Sequence, residues 1–217
     1  DIPLLFMTIP LTALSVAGLS NAYNMIDGID GLAASTIALP LLCLYILATK
    51  AGHPNAPFLL LMLVPLTMFL IFNLGPNNRA LPKVFLGDGG SVTLGFLVTA
   101  SLVYFSQGDY AVIEPVTALW LVTVPLMDML ATMLRRYRGG RPIMEADRSH
   151  LHHTLMDLGF SPRRTLALTL VYAVMAATTG LYLEAIPAYA SLGIYFLLFC
   201  LHCLFVLKAS KTIKQRA

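Results

Sequence analysis

Charge is what this sequence has least of. Asp, Glu, Lys and Arg make up 12% of its 217 residues while 58% are hydrophobic, and the mean hydropathy is +0.77. Soluble domains carry about 25% charged residues, so a water-soluble globule is excluded. Cysteine is also sparse. Cys43, Cys200 and Cys203 fall inside apolar stretches, where a thiol behaves as a small apolar group, and none has the spacing of a zinc ligand set. Neither a disulfide nor a redox role is expected. The chain opens on Asp1 with no basic segment and no small-residue cleavage site, which excludes a signal peptide and predicts a native start further upstream.

What fills the sequence instead is apolar runs, each about 20 residues long and so matched to the hydrocarbon thickness of a bilayer. Seven are expected, over Ile2–Tyr23, Leu32–Thr49, Pro57–Leu74, Ser91–Ser106, Val112–Leu134, Thr165–Leu183 and Pro187–Leu207. The fold class is therefore all-α: a polytopic membrane protein with one transmembrane catalytic domain over residues 1–217. Its orientation follows from where the 14 Lys and Arg residues fall. Arg79, Lys83, Arg135, Arg136, Arg138, Arg141, Arg148, Arg163, Arg164, Lys208, Lys211, Lys214 and Arg216 share one side, and only Lys50 lies on the other. The basic side is read as cytoplasmic, with the N-terminus periplasmic and the C-terminus inside. Cytoplasmic loops are expected at about 21–31, 75–90 and 135–164.

Three motifs lie on that side. The first, Asn21-Ala-Tyr-Asn24-Met-Ile-Asp27-Gly28-Ile-Asp30-Gly31, puts two amides and two carboxylates at a membrane boundary, where such polar density is costly. One Asp could cap the following helix, but four polar groups exceed that need. In the second, Lys83-Val-Phe85-Leu86-Gly87-Asp88-Gly89-Gly90-Ser91, glycine amides and the start of a helix favour an anion, and Asp88 offers a carboxylate to a divalent cation. A helix cap is the plain alternative for Asp88. Magnesium takes one or two carboxylates plus substrate phosphate oxygens, which suits Asp88 together with the first turn.

The third motif is an arginine cluster, Arg135 to Arg141, followed by Asp147-Arg148-Ser149-His150-Leu-His152-His153. Arginines at helix ends serve topology; for the histidines, phosphate binding with Arg148 suits the chemistry better than zinc, which would lack a defined fourth ligand beyond Asp147. Asp128, inside the fifth run, is expected to pair with the arginine cluster two turns on. His202 is read as a packing histidine.

Together the motifs resemble the polyprenyl-phosphate N-acetylhexosamine-1-phosphate transferase superfamily, glycosyltransferase family 4. The Arg-Ser-His-Leu-His-His form is most like the branch that transfers N-acetylglucosamine-1-phosphate from UDP to undecaprenyl phosphate. The resemblance implies catalytic roles for Asp27, Asp88, His150, His152 and His153. It implies Mg2+, or Mn2+ in its place, on Asp88 with Asn24 as second ligand. It implies substrate contacts from Asn21, Asp30, Phe85 and Arg148, with Asp30 and Phe85 holding the uracil.

The expected partners are a UDP-sugar donor, undecaprenyl phosphate and the lipid bilayer of the bacterial inner membrane, with no nucleic acid; a homodimer is left open. The expected product starts a lipid-linked cell-envelope glycan such as O-antigen. In one respect the sequence departs from the family. Members carry an adjacent Asp-Asp pair in an earlier loop and this sequence has none, so the chain by itself is expected to be inactive. The rival is a transporter, whose acids would sit at mid-membrane on broken helices.

Overall fold

In a computed structural model, residues 8–143 and 150–216 are described. Among them are nine α-helices, a short 3-10 turn at Leu183–Ala185 and no strand. The helices are α1 Thr8–Ile26, α2 Leu32–Lys50, α3 Ala56–Asn73, α4 Gly87–Phe105, α5 Pro115–Leu121, α6 Thr123–Arg138, α7 Leu151–Asp157, α8 Pro162–Tyr182 and α9 Ala188–Arg216. Five of them, α2, α3, α4, α8 and α9, are long and apolar enough to cross a bilayer, and α5 with α6 makes a sixth if the bent pair is one span. The expected count was seven. Helix α1 has 19 residues, but Ser20, Asn21 and Asn24 interrupt its apolar run and leave it outside that set.

The fifth expected run is broken rather than continuous. Helices α5 and α6 meet at Val122 with a bend of 81°. Pro125 supplies the reason, since its ring clashes with the carbonyl four residues back, at Leu121, and it has no N–H to give. The last run is longer than expected: α9 continues to Arg216, so the basic tail is helical.

Helix contacts are made where side chains are small, as bilayer packing requires when apolar surface alone gives no preference for protein over lipid. A Cβ on Gly95 would come within 2.8 Å of Ser20 Cα, so the glycine sets the close approach of α1 and α4. Likewise Gly180 lets α8 lie against Trp120 of α5. Trp120 in turn donates to Ser191 Oγ at 3.1 Å and packs edge-on against Tyr195, which brings in α9. The core formed by Tyr23, Ile37, Leu44, Val98 and Phe105 is buried, whereas Leu61, Met68, Met175 and Leu204 point outward, as suits a lipid surround. Pro40 inside α2 leaves the Thr36 carbonyl without its helical donor, and the buried Tyr23 hydroxyl reaches that oxygen at 3.5 Å.

Candidate active site

The first turn is closed by α3. Gly31, in the left-handed region at φ +75°, donates its N–H to Asn73 Oδ1 at 2.6 Å, and Asn73 Nδ2 donates to the Val84 carbonyl at 2.8 Å. One buried amide thus ties the asparagine-aspartate turn to the loop before α4. Asn73 escaped sequence reasoning because nothing local marks it; an amide ending an apolar run was its only signal.

The two loops meet again through α4. Ser91, fully buried in the first turn of α4, donates to Asn24 Oδ1 at 2.7 Å. Asp27 is half-buried, and burial raises its carboxyl pKa above its ordinary value. The charges of Asp88, then of Asp30, raise it further. Asp88 is exposed in the first turn of α4, and it is not the cap: that position is Leu86, which makes no side-chain capping bond. Asp30 does not cap α2 either, since Gly31 precedes that helix. Its carboxylate pairs with the Lys83 ammonium, which also lies 5.9 Å from the centroid of the exposed Phe85 ring. Lys83 is a second residue to which sequence reasoning gave no role.

The histidine motif comes to the same place. A Cβ on Gly28 would fall 2.1 Å from His152 Nε2, so the buried imidazole rests directly on the first turn. His150 and His152 are stacked with centroids 6.0 Å apart, and His153 lies 4.1 Å from His152. Asp128 accounts for the register. Buried in α6, its carboxylate accepts from His150 Nδ1–H at 3.0 Å and from the Leu151 N–H at 2.7 Å, anchoring the start of α7.

The expected pairing of Asp128 with the arginine cluster is therefore corrected: its described contacts go to the histidine loop, while Arg136 donates to the Ile143 carbonyl at 2.7 Å. A carboxylate on Nδ1 fixes the tautomer and leaves Nε2 as the ring's acceptor. Helix α8, which follows, starts on the Ser161 hydroxyl accepting from Arg164 N–H, with Pro162 at its first position. Arg163 borders a cleft of about 90 Å³ shared with Asp30, Asn73 and Lys83.

Of the residues expected from sequence, Asn24, Asp27, Asp30, Phe85, Asp88, His150, His152 and His153 lie at this one end of the bundle. Asn21 lies a turn away, donating to Met25 Sδ at 3.4 Å and lining a groove between α1 and α4. Arg148, with Asp147, lies outside the described residues. The cluster offers oxygen donors from Asp27, Asp88 and Asn24. Asp27, half-buried and beside the charges of Asp88 and Asp30, has its proton affinity raised, a setting that a divalent cation relieves, so the residues present fit Mg2+.

Fold and site together define an all-helical bundle, with five or six candidate membrane spans, whose acidic turns and histidine helix lie at one end, and residues 2–106 match the model of glycosyl transferase family 4. Over 196 residues the chain is 36% identical to the undecaprenyl-phosphate alpha-N-acetylglucosaminyl 1-phosphate transferase of Yersinia pestis, covering 88% of this chain and 53% of that protein. It is 35% identical to the enzyme of the same name from Escherichia coli K12 over 208 residues, covering 94% and 56%. A probable undecaprenyl-phosphate N-acetylglucosaminyl 1-phosphate transferase of Bacillus subtilis is 32% identical over 197 residues, covering 89% and 53%. The chain spans about half the length of the curated relatives it matches.

Proposed function

We propose that the protein transfers N-acetylglucosamine-1-phosphate from its UDP donor to undecaprenyl phosphate. The supporting observation is the convergence of three motifs far apart in sequence: Asn24 on Ser91, Asp30 on Lys83, and His152 on Gly28. An oxygen of the lipid phosphate attacks the β-phosphorus of the donor; the bond to the bridging oxygen breaks, UMP leaves, and a lipid-linked sugar pyrophosphate forms.

In this reading Asp27 and Asp88 face the phosphates, with Asn24 held in place by Ser91. Mg2+ on Asp88 and Asn24 would supply positive charge to the pyrophosphate. Lys83, Asp30 and Phe85 form the nucleoside end, where the ring stacks on uracil and the carboxylate accepts from its N–H. His150 and His152, fixed by Asp128 and Gly28, hold the donor's phosphate and sugar. The bent α5–α6 pair is the feature a transporter would show, but its buried acid is engaged with the histidine loop.

The topology proposed with this function counts α1 and the α5–α6 pair as spans, giving seven. It puts the acidic turns and the C-terminus in the cytoplasm and the opposite loops in the periplasm of the inner membrane, as the placement of Lys and Arg favours. The test is UMP release by the full-length protein given magnesium, undecaprenyl phosphate and a panel of UDP-sugars. Release should require all three and be fastest with UDP-N-acetylglucosamine. Release independent of the lipid would reject the reading.

A further inference from the structure

Behind the histidine helix, on the side away from the acidic turns, lies a groove of about 460 Å³ between α7, α8 and α9. Its walls are apolar, with Leu155, Leu168, Leu201 and Phe205 among them, and three polar side chains, Thr169, Tyr172 and His202, interrupt them. Thr169 is 2% exposed and His202 6%, and neither Thr169 Oγ1 nor His202 Nε2 has a hydrogen-bond partner among the described residues. Unpaired buried polar atoms are costly and call for a ligand group. His202 is held in place by Tyr172, whose ring lies parallel to it at 5.9 Å.

The rim of the groove is cationic. Arg164 stands four residues before Leu168 on α8, and Lys208 three residues after Phe205 on α9, so each shares a face with a residue of the groove wall. Both are exposed at the basic end of the bundle. At 1.5 Å per residue, Thr169 and His202 lie roughly 8–9 Å further along their helices than these cations. The cations therefore lie outermost, and the two hydrogen-bonding groups sit deeper, within the apolar wall.

We propose that this groove binds an anionic phospholipid of the surrounding leaflet, with its phosphate between Arg164 and Lys208, an ester carbonyl on Thr169 Oγ1–H or His202 Nε2–H, and an acyl chain along α8 and α9. The proposal rests on the membrane reading of these helices. A phospholipid fits better than a polyprenyl phosphate, because a polyprenyl chain has no carbonyl to meet the two polar atoms. Leu151 and Leu155 of α7 also border the groove, so its occupant supports the helix that carries His152.

The test is native mass spectrometry of the full-length protein released from nanodiscs of equal phosphatidylglycerol and phosphatidylcholine. Wild type should retain one phosphatidylglycerol. Leu201→Trp, which fills the groove from an exposed position, and the exposed pair Arg164→Gln with Lys208→Gln should each retain at least tenfold less. Thr169→Val with His202→Phe should weaken retention with the charge preference intact. Equal retention by Leu201→Trp, no preference for the anionic lipid, or displacement by undecaprenyl phosphate would each overturn the assignment. None of these measurements depends on turnover, so a failed transferase assay would leave the lipid assignment standing, and the reverse.

Discussion

The two ends of the bundle handle their polar groups in opposite ways. At the end away from the motifs, His53 accepts from the Asn55 N–H at 3.0 Å and is enclosed by Tyr104, Phe105 and Tyr110, with ring centroids 4.8–5.8 Å away. Glu184 accepts from the Glu114 N–H at 3.0 Å, closing one loop on another. Both of these side chains serve the chain's own backbone. At the motif end, Asp88 caps nothing, Asp27 is held where burial and then neighbouring charges oppose its ionisation, and Phe85 is 74% exposed. Groups left in such positions at a folding cost are candidates for ligand work. The same residue types, histidine, carboxylate and aromatic, thus serve structure at one end and, on the proposed function, chemistry at the other.

Asp88→Asn gives the harshest test of that contrast. Asp88 makes no capping bond, so the substitution costs only its attraction to the start of α4, about 0.3–1 kcal/mol. Turnover of the full-length protein should fall on the order of a thousandfold, as the loss of a charge at a phosphate site implies. Normal turnover with a lowered melting temperature would make the two ends alike.

Next in size is Gly28→Ala. The added methyl would sit 2.1 Å from His152 Nε2, and the imidazole is too buried to yield freely. A displacement of about 1 Å at a reacting site costs about a hundredfold in rate. Gly52→Ala is the control at the other end: its φ is +66° but a Cβ there meets nothing, so it should lower stability and spare turnover. Equal loss of turnover in both variants would sever the link between the first turn and the histidine helix.

The three motifs were legible in sequence because each is local: polar groups crowded at the end of an apolar run advertise a cost that function has to justify. The long helices were legible from run length, whereas the short α7 fell inside a stretch expected to be loop. What joins the motifs was not. Asn73, Lys83 and the Asp128 anchor act on partners 42, 53 and 22 residues away, and such pairings depend on which helix ends lie side by side. Asp128 was visible as an intramembrane acid, yet arginines two turns on seemed its natural partners until the fold brought His150 closer. The break at Val122 had a local signal in Pro125, but the apolar run through it outweighed a single proline.

Phe85→Ala should act on binding rather than on chemistry. Stacking contributes about 0.5–1.5 kcal/mol beyond buried area, and on the proposed function uracil would be held alike in ground and transition states. KM for the UDP-sugar should rise up to roughly tenfold with kcat nearly constant. A collapsed kcat at constant KM would exclude the stacking role. Smaller still is a pH effect on magnesium. Because the Asp27 pKa is raised, its proton persists to higher pH than on an ordinary aspartate, and a cation at the acidic turns competes with it. The magnesium concentration for half-maximal rate should therefore climb as pH falls toward that raised pKa, and a requirement that stays flat with pH would detach Asp27 from the metal.

His53→Asn is the smallest expected change in activity and the one that tests the other half of the comparison. The Asn side-chain oxygen can take over the bond from the Asn55 N–H, so what is lost is the ring, packed against Tyr104, Phe105 and Tyr110. Losing those contacts should cost about 1–3 kcal/mol, because a buried aromatic carries both area and edge-to-face energy. The loops that His53 joins, between α2 and α3 and after α4, touch none of the motif residues, and the packed lengths of α2 and α4 lie between. Melting of the full-length protein in detergent should therefore drop by several degrees while turnover per folded molecule stays constant. A histidine that served the chemistry would give the converse, intact melting with lost turnover, and that outcome would mean that chemistry is not confined to the motif end.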